Sequence, residues 1–395
     1  MAKKSVKDFN LKNKIVLMRV DFNVPLDDNL NITDDNRIKE ALPTIEYILA
    51  QGAALILMSH LGRPKGKPKP EFSLRPVAEQ LSRLLKKPVK LAPDCVGNEV
   101  SNLAAELKPG AVLLLENLRF HNEEEENNQI FSQKLASLGN IYINDAFGTA
   151  HRAHASTEGV TKFLPSGAGL LLDKELKYFD KTMEHPDRPF VAILGGAKVK
   201  DKIPVILNLL NKVDTLIIGG GMAYTFMFQR GVKIGNSLLD KDSLSIVEKI
   251  LAKAKEKNVK LYFPSDYIVA DKFSEDANIK TMSGDIPDGW EGIDMGPNAR
   301  LEVDEILKSS KTVVWNGPLG VFEIDKFAAG TKAVAKTLSQ LTGKCTTIIG
   351  GGDTAAAVKK FGFENKMSHI STGGGASLEL LEGKILPGVA ALNDL

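Results

Sequence analysis

The chain has 395 residues, of which 43% are hydrophobic and 25% charged, a composition that excludes disordered and fibrous proteins. At about 150 residues per domain, this length predicts two or three domains. The 51 Lys and Arg residues against 49 Asp and Glu give a net charge of +2, which excludes a protein that binds nucleic acid or an anionic membrane mainly through overall charge. Any anion-binding site must therefore be local.

The cysteines and the terminal segment indicate the compartment. Cys95 and Cys345 form no Cys-x-x-Cys motif, so we expect neither a disulfide framework nor a thiolate metal site. The charged N-terminal segment lacks the apolar core of a signal peptide. The longest uncharged stretch, around residues 215–229, is too short to span a membrane and contains three consecutive glycines. We therefore expect a cytoplasmic protein without a membrane segment.

Short apolar segments, each followed by a helical pattern, recur along the chain. Continuous apolar strands that alternate with helices are typical of parallel sheets with helices on both faces. The two prolines within residues 185–189 predict a linker. We therefore predict an α/β protein of two doubly wound, Rossmann-like domains, residues 1–185 and 186–385, which face each other across a cleft and are joined by a hinge. The predicted strands begin at Lys14, Ala53, Pro88, Ala111, Ile141, Phe190, Asp214, Lys260, Thr312, Thr346 and His369.

In the first half, basic and polar residues follow the predicted strands. Ligands of parallel α/β sheets bind beyond the carboxyl ends of the strands. Guanidinium groups match the oxygens of carboxylates and phosphates, so this pattern predicts a small, multiply anionic ligand. The alternative is a set of surface arginines, each paired with a local carboxylate. The residues are Arg19, Asp21, Asn23, His60, Arg63, Arg119, Asp145, His151, Arg152 and His154, with Arg37 at the start of the first helix.

Two other polar patterns in this half receive no binding role. His151 and His154 lack a third metal ligand at a recognisable spacing, and Arg152 would repel a cation, so we do not expect a metal there. The acidic run Glu123 to Glu126 is interpreted as the solvated face of a loop.

In the second half, glycines follow the strands instead. Glycine between a strand and a helix lets backbone N–H groups approach an oxyanion, although the same residue also serves simply to make a tight turn. Asp353 is either a helix N-cap or a ligand of Mg²⁺ bound to nucleotide phosphates; for Asp201 we favour the N-cap. The clusters are Gly195–Gly196, followed by Lys198 and Lys202, and the triplets that begin at Gly219, Gly350 and Gly373.

A basic half and a glycine-rich half together favour phosphoryl transfer. Lys198, on its glycine tether, could follow the charge of the transferring group. We find no catalytic-loop base, which favours an acceptor that is already ionised, such as a carboxylate. An NAD-dependent dehydrogenase remains an alternative, because Gly350, Gly352 and Ala355 fit a loose dinucleotide motif, although the next strand lacks its acidic residue. A non-enzymatic binding module is the third possibility.

Nine segments, in family order across the chain, resemble the phosphoglycerate kinase family. The resemblance implies reversible transfer of a phosphoryl group from 1,3-bisphosphoglycerate to MgADP, giving 3-phosphoglycerate and MgATP, in glycolysis and gluconeogenesis. It also implies a monomeric, cytoplasmic enzyme with no nucleic-acid partner. The segments are RVDFNVP, SHLGRP, ENLRF, NDAFGTAHRAHAST, ILGGAKVKDK, IIGGGMAYTF, VVWNGPLGVFE, IGGGDTAAA and STGGGASLELLEG.

The resemblance also implies roles for individual residues. Catalysis would involve Arg37, Lys198, Gly374 and Gly375, and Arg19 would support the site. Asp21, Asn23, Arg37, His60, Arg63, Arg119 and Arg152 would bind phosphoglycerate. Lys202, Gly219, Gly220, Gly292, Asn316, Glu323, Gly351, Gly352, Asp353 and Thr354 would bind the nucleotide, with Asp353 on Mg²⁺. Residues 386–395 would pack back on the N-terminal domain.

Two residues depart from the family pattern. Pro204 is tolerable if its helix begins near Lys202, which would place the proline in the first turn. Asn298 is unusual after its Gly-Pro pair, so the resemblance does not settle the role of the loop on the adenine side.

We also expect the domains to close about a hinge near residues 185–189 and at the C-terminal return, because closure excludes water from an acyl phosphate.

Overall fold

The computed structural model describes residues 3–395, so residues 1 and 2 of the first predicted domain lie outside the described residues. The chain divides into two compact units. Unit 1 extends to Lys177 and also contains Ile385–Leu395, whereas unit 2 is Tyr178–Lys384. This division falls within the helix Leu170–Glu184. Across the described residues, no helix is both long enough and apolar enough to cross a membrane.

Unit 1 contains a six-stranded parallel sheet with the strand order β3-β4-β2-β1-β5-β6. The strands are β1 Ile15–Arg19, β2 Ala54–Met58, β3 Val89–Leu91, β4 Val112–Leu114, β5 Ile141–Asn144 and β6 Ser166–Ala168. The helices are α1 Asn36–Ala50, α2 Arg75–Leu85, α3 Asn98–Ala105, α4 Asn122–Glu125, α5 Gln129–Ala136 and α6 Leu170–Glu184.

Unit 2 contains a second six-stranded parallel sheet, of order β15-β14-β13-β7-β8-β9, and a three-stranded antiparallel sheet, of order β11-β10-β12. The strands are β7 Phe190–Leu194, β8 Thr215–Ile218, β9 Lys260–Tyr262, β10 Tyr267–Ala270, β11 Ile279–Met282, β12 Glu291–Met295, β13 Thr312–Asn316, β14 Thr346–Gly350 and β15 His369–Ile370. The helices are α7 Ile203–Leu209, α8 Met222–Gln229, α9 Leu244–Glu256, α10 Pro297–Lys308, α11 Ala329–Gln340, α12 Gly352–Lys360 and α13 Gly375–Leu381.

The central strands are buried on both faces, which explains their continuous apolar sequences. Every residue of β2 and of β7 is buried, because helices cover both sides of each sheet. The predicted α/β class with two parallel sheets is therefore confirmed. Pro204 lies in the first turn of α7, where it costs no intrahelical hydrogen bond.

The C-terminal segment packs on unit 1 through its short helix α14, Pro387–Ala390. Asn144 Nδ2 donates to the carbonyl of Gly388 at 3.0 Å, and the backbone N–H of Ser166 donates to Asn393 Oδ1 at 2.8 Å. Leu386 and Leu392 are both 2% exposed. The segment therefore adds hydrogen bonds and core packing beside β5 and β6.

We predict that Leu392→Ala lowers the free energy of unfolding of unit 1 by about 2–5 kcal/mol, because a buried leucine leaves a cavity when it is truncated. Both tryptophans, Trp290 and Trp315, lie in unit 2, so tryptophan fluorescence during urea unfolding follows unit 2, whereas circular dichroism follows both units. The destabilisation of unit 1 should therefore shift the dichroism curve and leave the fluorescence curve in place. Leu395→Ala is the control, since Leu395 is 76% exposed and its loss should leave the curve unchanged. Equal effects of the two variants would contradict the packing described.

Candidate functional site

Arg19, at the end of β1, is the most deeply buried arginine of the predicted basic site, at 1% exposure. Its Nε donates to Ser156 Oγ at 2.8 Å, and its Nη2 lies 3.2 Å from His60 Nδ1. A guanidinium group donates hydrogen bonds and cannot accept them. His60 Nδ1 is therefore the acceptor, and the neutral imidazole carries its proton on Nε2.

Four arginines surround His60. Burial, followed by the positive charges of Arg19, Arg119, Arg37 and Arg152, holds the pKa of His60 well below its ordinary value. These arginines come from β1, from the turn after β4, from α1 and from the segment after β5. The structure thus brings four separate segments to one place, which we call the arginine cluster: Arg19, Arg37, Arg119 and Arg152 around His60.

Hydrogen bonds to the loop after β2 fix the edge of the arginine cluster. Asn23 Oδ1 accepts from the backbone N–H of Gly62 at 2.8 Å, and Arg119 Nη1 donates to the carbonyl of Gly62 at 3.0 Å. Asp21 forms an ion pair with Arg37. Arg63, in contrast, is exposed and makes no hydrogen bond or ion pair within the described chain.

A buried carboxylate, Glu124, lies behind the arginine cluster. Ser156 donates to it twice, from Oγ to Oε1 at 2.6 Å and from the backbone N–H to Oε2 at 3.0 Å. Because Arg19 donates to the same hydroxyl, Ser156 links the arginine to the carboxylate. Burial raises the pKa of Glu124, whereas the positive charge of Arg19 lowers it.

The prediction that residues 123–126 form a solvated face is wrong at this position. Glu124 is 0% exposed, whereas Glu123, Glu125 and Glu126 are exposed. The short helix α4 explains the difference, because it turns one of the four glutamates inward. Sequence reasoning therefore missed both Glu124 and Ser156.

The two histidines after β5 also lie in positive surroundings. His154 is buried, and its pKa is lowered to about 3, first by burial and then by Arg19 and Arg119. Arg152 Nε donates to His151 Nε2 at 3.2 Å. The positive charge around both rings opposes the binding of a cation.

In unit 2, the carboxyl ends of β7 and β13 and the start of α12 enclose a cavity of about 360 Å³. Its glycines permit close backbone packing: a Cβ on Gly195 would lie 2.1 Å from the carbonyl oxygen of Pro318, and Gly317 has a φ of +99°. We call this space the glycine cavity. Its lining comprises Gly195, Gly196, Ala197, Lys198, Asp201, Lys202, Asn316, Gly317, Pro318, Gly351, Gly352, Asp353, Thr354 and Leu378.

Two lysines of the predicted site line the glycine cavity. Lys198 is exposed, whereas Lys202 is half-buried and donates to Asn316 Oδ1. Burial lowers the pKa of Lys202, while the charges of Asp201, Asp353 and Glu382 raise it. The N-cap prediction for Asp201 is wrong, because this residue lies within the helical turn Lys200–Lys202, which has no side-chain cap.

Asp353 and Thr354 follow one another in the first turn of α12 but differ in environment. The N-cap of this helix is Gly351, with a φ of +85° and no side-chain cap, so Asp353 does not cap the helix. Its exposed carboxylate lies on the cavity wall. Thr354 is buried, and its Oγ1 accepts from the backbone N–H of Gly317 at 2.7 Å. The side chain of Thr354 therefore holds the backbone of Gly317, which follows β13 and lines the cavity.

The other predicted nucleotide and catalytic residues do not line this cavity within the described chain. Gly374 precedes and Gly375 begins α13, whose Leu378 does line it. A Cβ on Gly220 would lie 2.7 Å from the backbone nitrogen of Gly196, which lines the cavity. Gly219 and Gly220 therefore pack close to the cavity lining without forming part of it. Gly292 is in β12, packed against Tyr224, and Glu323 is exposed.

Sequence reasoning assigned no role to four residues of the lining: Ala197, Gly317, Pro318 and Leu378. A signal was present for Gly317 and Pro318, because they follow β13 directly, at the carboxyl end where ligands of parallel sheets bind.

We predict that Glu124→Gln lowers the free energy of unfolding by about 1–3 kcal/mol, because it removes a buried charge that accepts two hydrogen bonds. Urea unfolding followed by circular dichroism measures the change. Glu126→Gln, at an exposed position of the same acidic run, is the matched control and should leave stability unaltered. A Glu124→Gln protein as stable as the parent would refute a role of this carboxylate in offsetting the positive charge of the arginine cluster.

Comparisons with known proteins identify the family of this chain. The family model described as phosphoglycerate kinase matches residues 6–384. The cytosolic phosphoglycerate kinase of Nicotiana tabacum is 57% identical over 393 residues, covering 99% of this chain and 98% of that protein. The phosphoglycerate kinase of Chlorobium limicola is 55% identical and covers 100% of both chains. The solved phosphoglycerate kinase of Coxiella burnetii has a TM-score of 0.91 at 43% identity and covers 98% of each chain. The chain therefore belongs to the phosphoglycerate kinase family.

Proposed function

We propose that the arginine cluster holds 3-phosphoglycerate, or the corresponding part of 1,3-bisphosphoglycerate, in the reversible transfer of a phosphoryl group to ADP. The observation that carries this proposal is the gathering of four guanidinium groups around one neutral imidazole. Guanidinium groups bind carboxylate and phosphate oxygens with paired hydrogen bonds, so such a cluster suits a small ligand with several negative charges. Asp21 and Asn23 would orient the edge of the site, and Arg63, being exposed, is free to reach the ligand.

On unit 2, we propose that the glycine cavity holds the nucleotide phosphates. The N-terminus of α12 and the backbone N–H groups of Gly351 and Gly352 favour an anion. Lys202 and Asn316 line the same space and would contact the phosphates. Gly219, Gly220, Gly292 and Glu323 lie outside the cavity lining, and we assign them to the nucleotide's remaining contacts on the basis of the family resemblance.

The donor set beside the cavity fits Mg²⁺. This ion is bound by one or two carboxylates together with nucleotide phosphates and water. Asp353 presents an exposed carboxylate on the cavity wall and makes no cap to its own helix. We therefore propose that Asp353 holds Mg²⁺, which would neutralise charge on the phosphates.

Arg37 and Lys198 would stabilise the phosphoryl group during its transfer, together with Gly374 and Gly375 at the start of α13. The positive charges of both side chains match the charge on the transferring oxygens. The acceptor carboxylate is ionised at neutral pH, so the reaction needs no general base. Binding and electrostatic stabilisation are then the main contributions of the protein.

One substrate on each unit requires the units to close on each other during the reaction, with a hinge near residues 185–189 and at the C-terminal return. Small-angle scattering with both substrates bound tests this, since it should show compaction. We also propose a monomer, on the basis of the family resemblance. We also propose a cytoplasmic location, which the cytosolic relatives support, although chloroplastic relatives also occur.

A coupled assay tests the proposed reaction directly. We expect 1,3-bisphosphoglycerate to be consumed in the presence of ADP, with the formation of ATP, and the rate to fall when Mg²⁺ is chelated. NADH fluorescence during a titration with the protein tests the dehydrogenase alternative and should stay unchanged. Binding of both ligands without ATP formation would favour the non-enzymatic module.

We predict that Lys198→Ala lowers kcat by about 100- to 1,000-fold while the affinity for ADP changes little, since the lysine would contact charge that develops during transfer. Steady-state kinetics and calorimetry with ADP separate the two effects. Lys200→Ala is the matched control, because Lys200 is an exposed lysine two positions further on and does not line the cavity. A loss of ADP affinity equal to the loss of kcat would reduce Lys198 to a docking role.

A further inference from the structure

Outside both sites, three side chains of unit 1 bring different metal-ligating atoms together. Among the described residues, Asp94, Cys95 and His121 form a group in which a carboxylate oxygen, the thiol sulfur and an imidazole nitrogen all lie within 4.8 Å of one another. Carboxylate, thiolate and imidazole are the three ligand types that zinc takes from proteins. None of these residues has a part in the phosphoryl transfer proposed above.

Backbone contacts hold the two segments of this group in place. The group follows the neighbouring strands β3 and β4, and the pairing continues past them: the N–H of Ala92 donates to the carbonyl of Leu114 at 2.8 Å. The N–H of Cys95 donates to Asp94 Oδ1 at 2.6 Å, and His121 Nε2 lies 2.7 Å from the same oxygen. These hydrogen bonds therefore hold the loop segment after β3 and the segment that begins at His121 next to each other.

The exposure of the three side chains gives an ion a route into the group. Asp94 and His121 are 44% and 27% exposed, whereas Cys95 is 0% exposed. The sulfur therefore lies below the two more accessible ligands, and solvent reaches the group from the carboxylate and imidazole side. Three protein ligands with one side open to water is the arrangement of a zinc site that keeps a water in its fourth position.

We propose that Asp94, Cys95 and His121 bind a divalent transition-metal ion of the zinc class, with water as the fourth ligand. The Cys95 thiol releases its proton to solvent when its sulfur binds the ion. The ion takes the place of the proton between His121 Nε2 and Asp94 Oδ1, and the imidazole then carries its proton on Nδ1. Two bonds of about 2.0 Å at a tetrahedral angle separate their ligand atoms by about 3.3 Å. His121 Nε2 and Asp94 Oδ1, now 2.7 Å apart, would therefore move slightly apart, and the Cys95 sulfur lies within 4.8 Å of both ligand atoms.

Such an ion would connect to the arginine cluster through the backbone. His121 directly follows the helical turn Leu118–Phe120, which carries Arg119. A metal ion on His121 and Cys95 would cross-link this turn to the segment after β3. Because the ion would bind the folded site, it would also stabilise the folded protein by mass action.

Titration of the full-length, nucleotide-free protein with Co²⁺ tests the proposal. Co²⁺ bound by a thiolate gives a sulfur-to-metal charge-transfer band in the near ultraviolet, which ligation by oxygen alone, as at Asp353, does not give. We expect the band in the parent protein and in Cys345→Ser, which removes the other cysteine. Cys95→Ser should abolish it, and His121→Gln should weaken Co²⁺ binding by about tenfold or more.

Absence of the band from the parent protein would overturn the proposal, as would a band that persists in Cys95→Ser or disappears in Cys345→Ser. Because Cys95 is fully buried, circular dichroism must first establish that Cys95→Ser is folded. Should this variant fail to fold, His121→Gln decides the question, since it alters a partly exposed side chain. Unchanged Co²⁺ affinity in a folded His121→Gln protein would also overturn the proposal.

Discussion

Repulsion between the guanidinium groups of the arginine cluster is the constraint that the surrounding structure of unit 1 must balance. The pKa of Arg119 is lowered by burial and by the neighbouring charges of Arg152 and Arg19, and raised by Glu125. Arg119 forms an ion pair with Glu125 at 3.2 Å. Three carboxylates of the fold lie beside these charges. Asp21 pairs with Arg37 and Glu125 with Arg119, and Glu124 is linked to Arg19 through the hydroxyl of Ser156. Carboxylates of the fold therefore offset part of the positive charge of the arginine cluster.

Unit 2 provides for an anion by a different physical means. Its cavity wall is made of backbone packed so closely that a Cβ on Gly317 would lie 2.2 Å from the carbonyl oxygen of Gly195. Peptide N–H groups carry partial charges, so many of them can converge without the repulsion that full charges would produce. The side-chain charges here are of both signs, Lys198 and Lys202 with Asp201 and Asp353.

The sequence predicted those parts of the fold and of the site that rest on repeated local patterns. Long apolar segments gave the central strands, and the strand exits gave most of the arginine cluster and the glycine cavity. β6 was missed because its three residues, Ser-Gly-Ala, are buried without being strongly apolar. β11 was missed because three of its four residues are exposed, so it lacks the continuous buried apolar segment by which strands were predicted. Glu124 was missed because the burial of one glutamate among four depends on a tertiary partner, Ser156, that lies 32 residues away.

His60 shows how the fold adds a binding group to the arginine cluster without adding charge. A fifth positive charge among four guanidinium groups would increase their repulsion. Burial, followed by the charges of these same groups, holds the pKa of the imidazole well below its ordinary value and so favours the neutral form. The hydrogen bond from Arg19 occupies Nδ1, so the remaining Nε2–H is a donor of fixed identity. Burial and the four arginines thus favour the neutral histidine, and Arg19 fixes its tautomer, so that a directional neutral donor lies among four guanidinium groups.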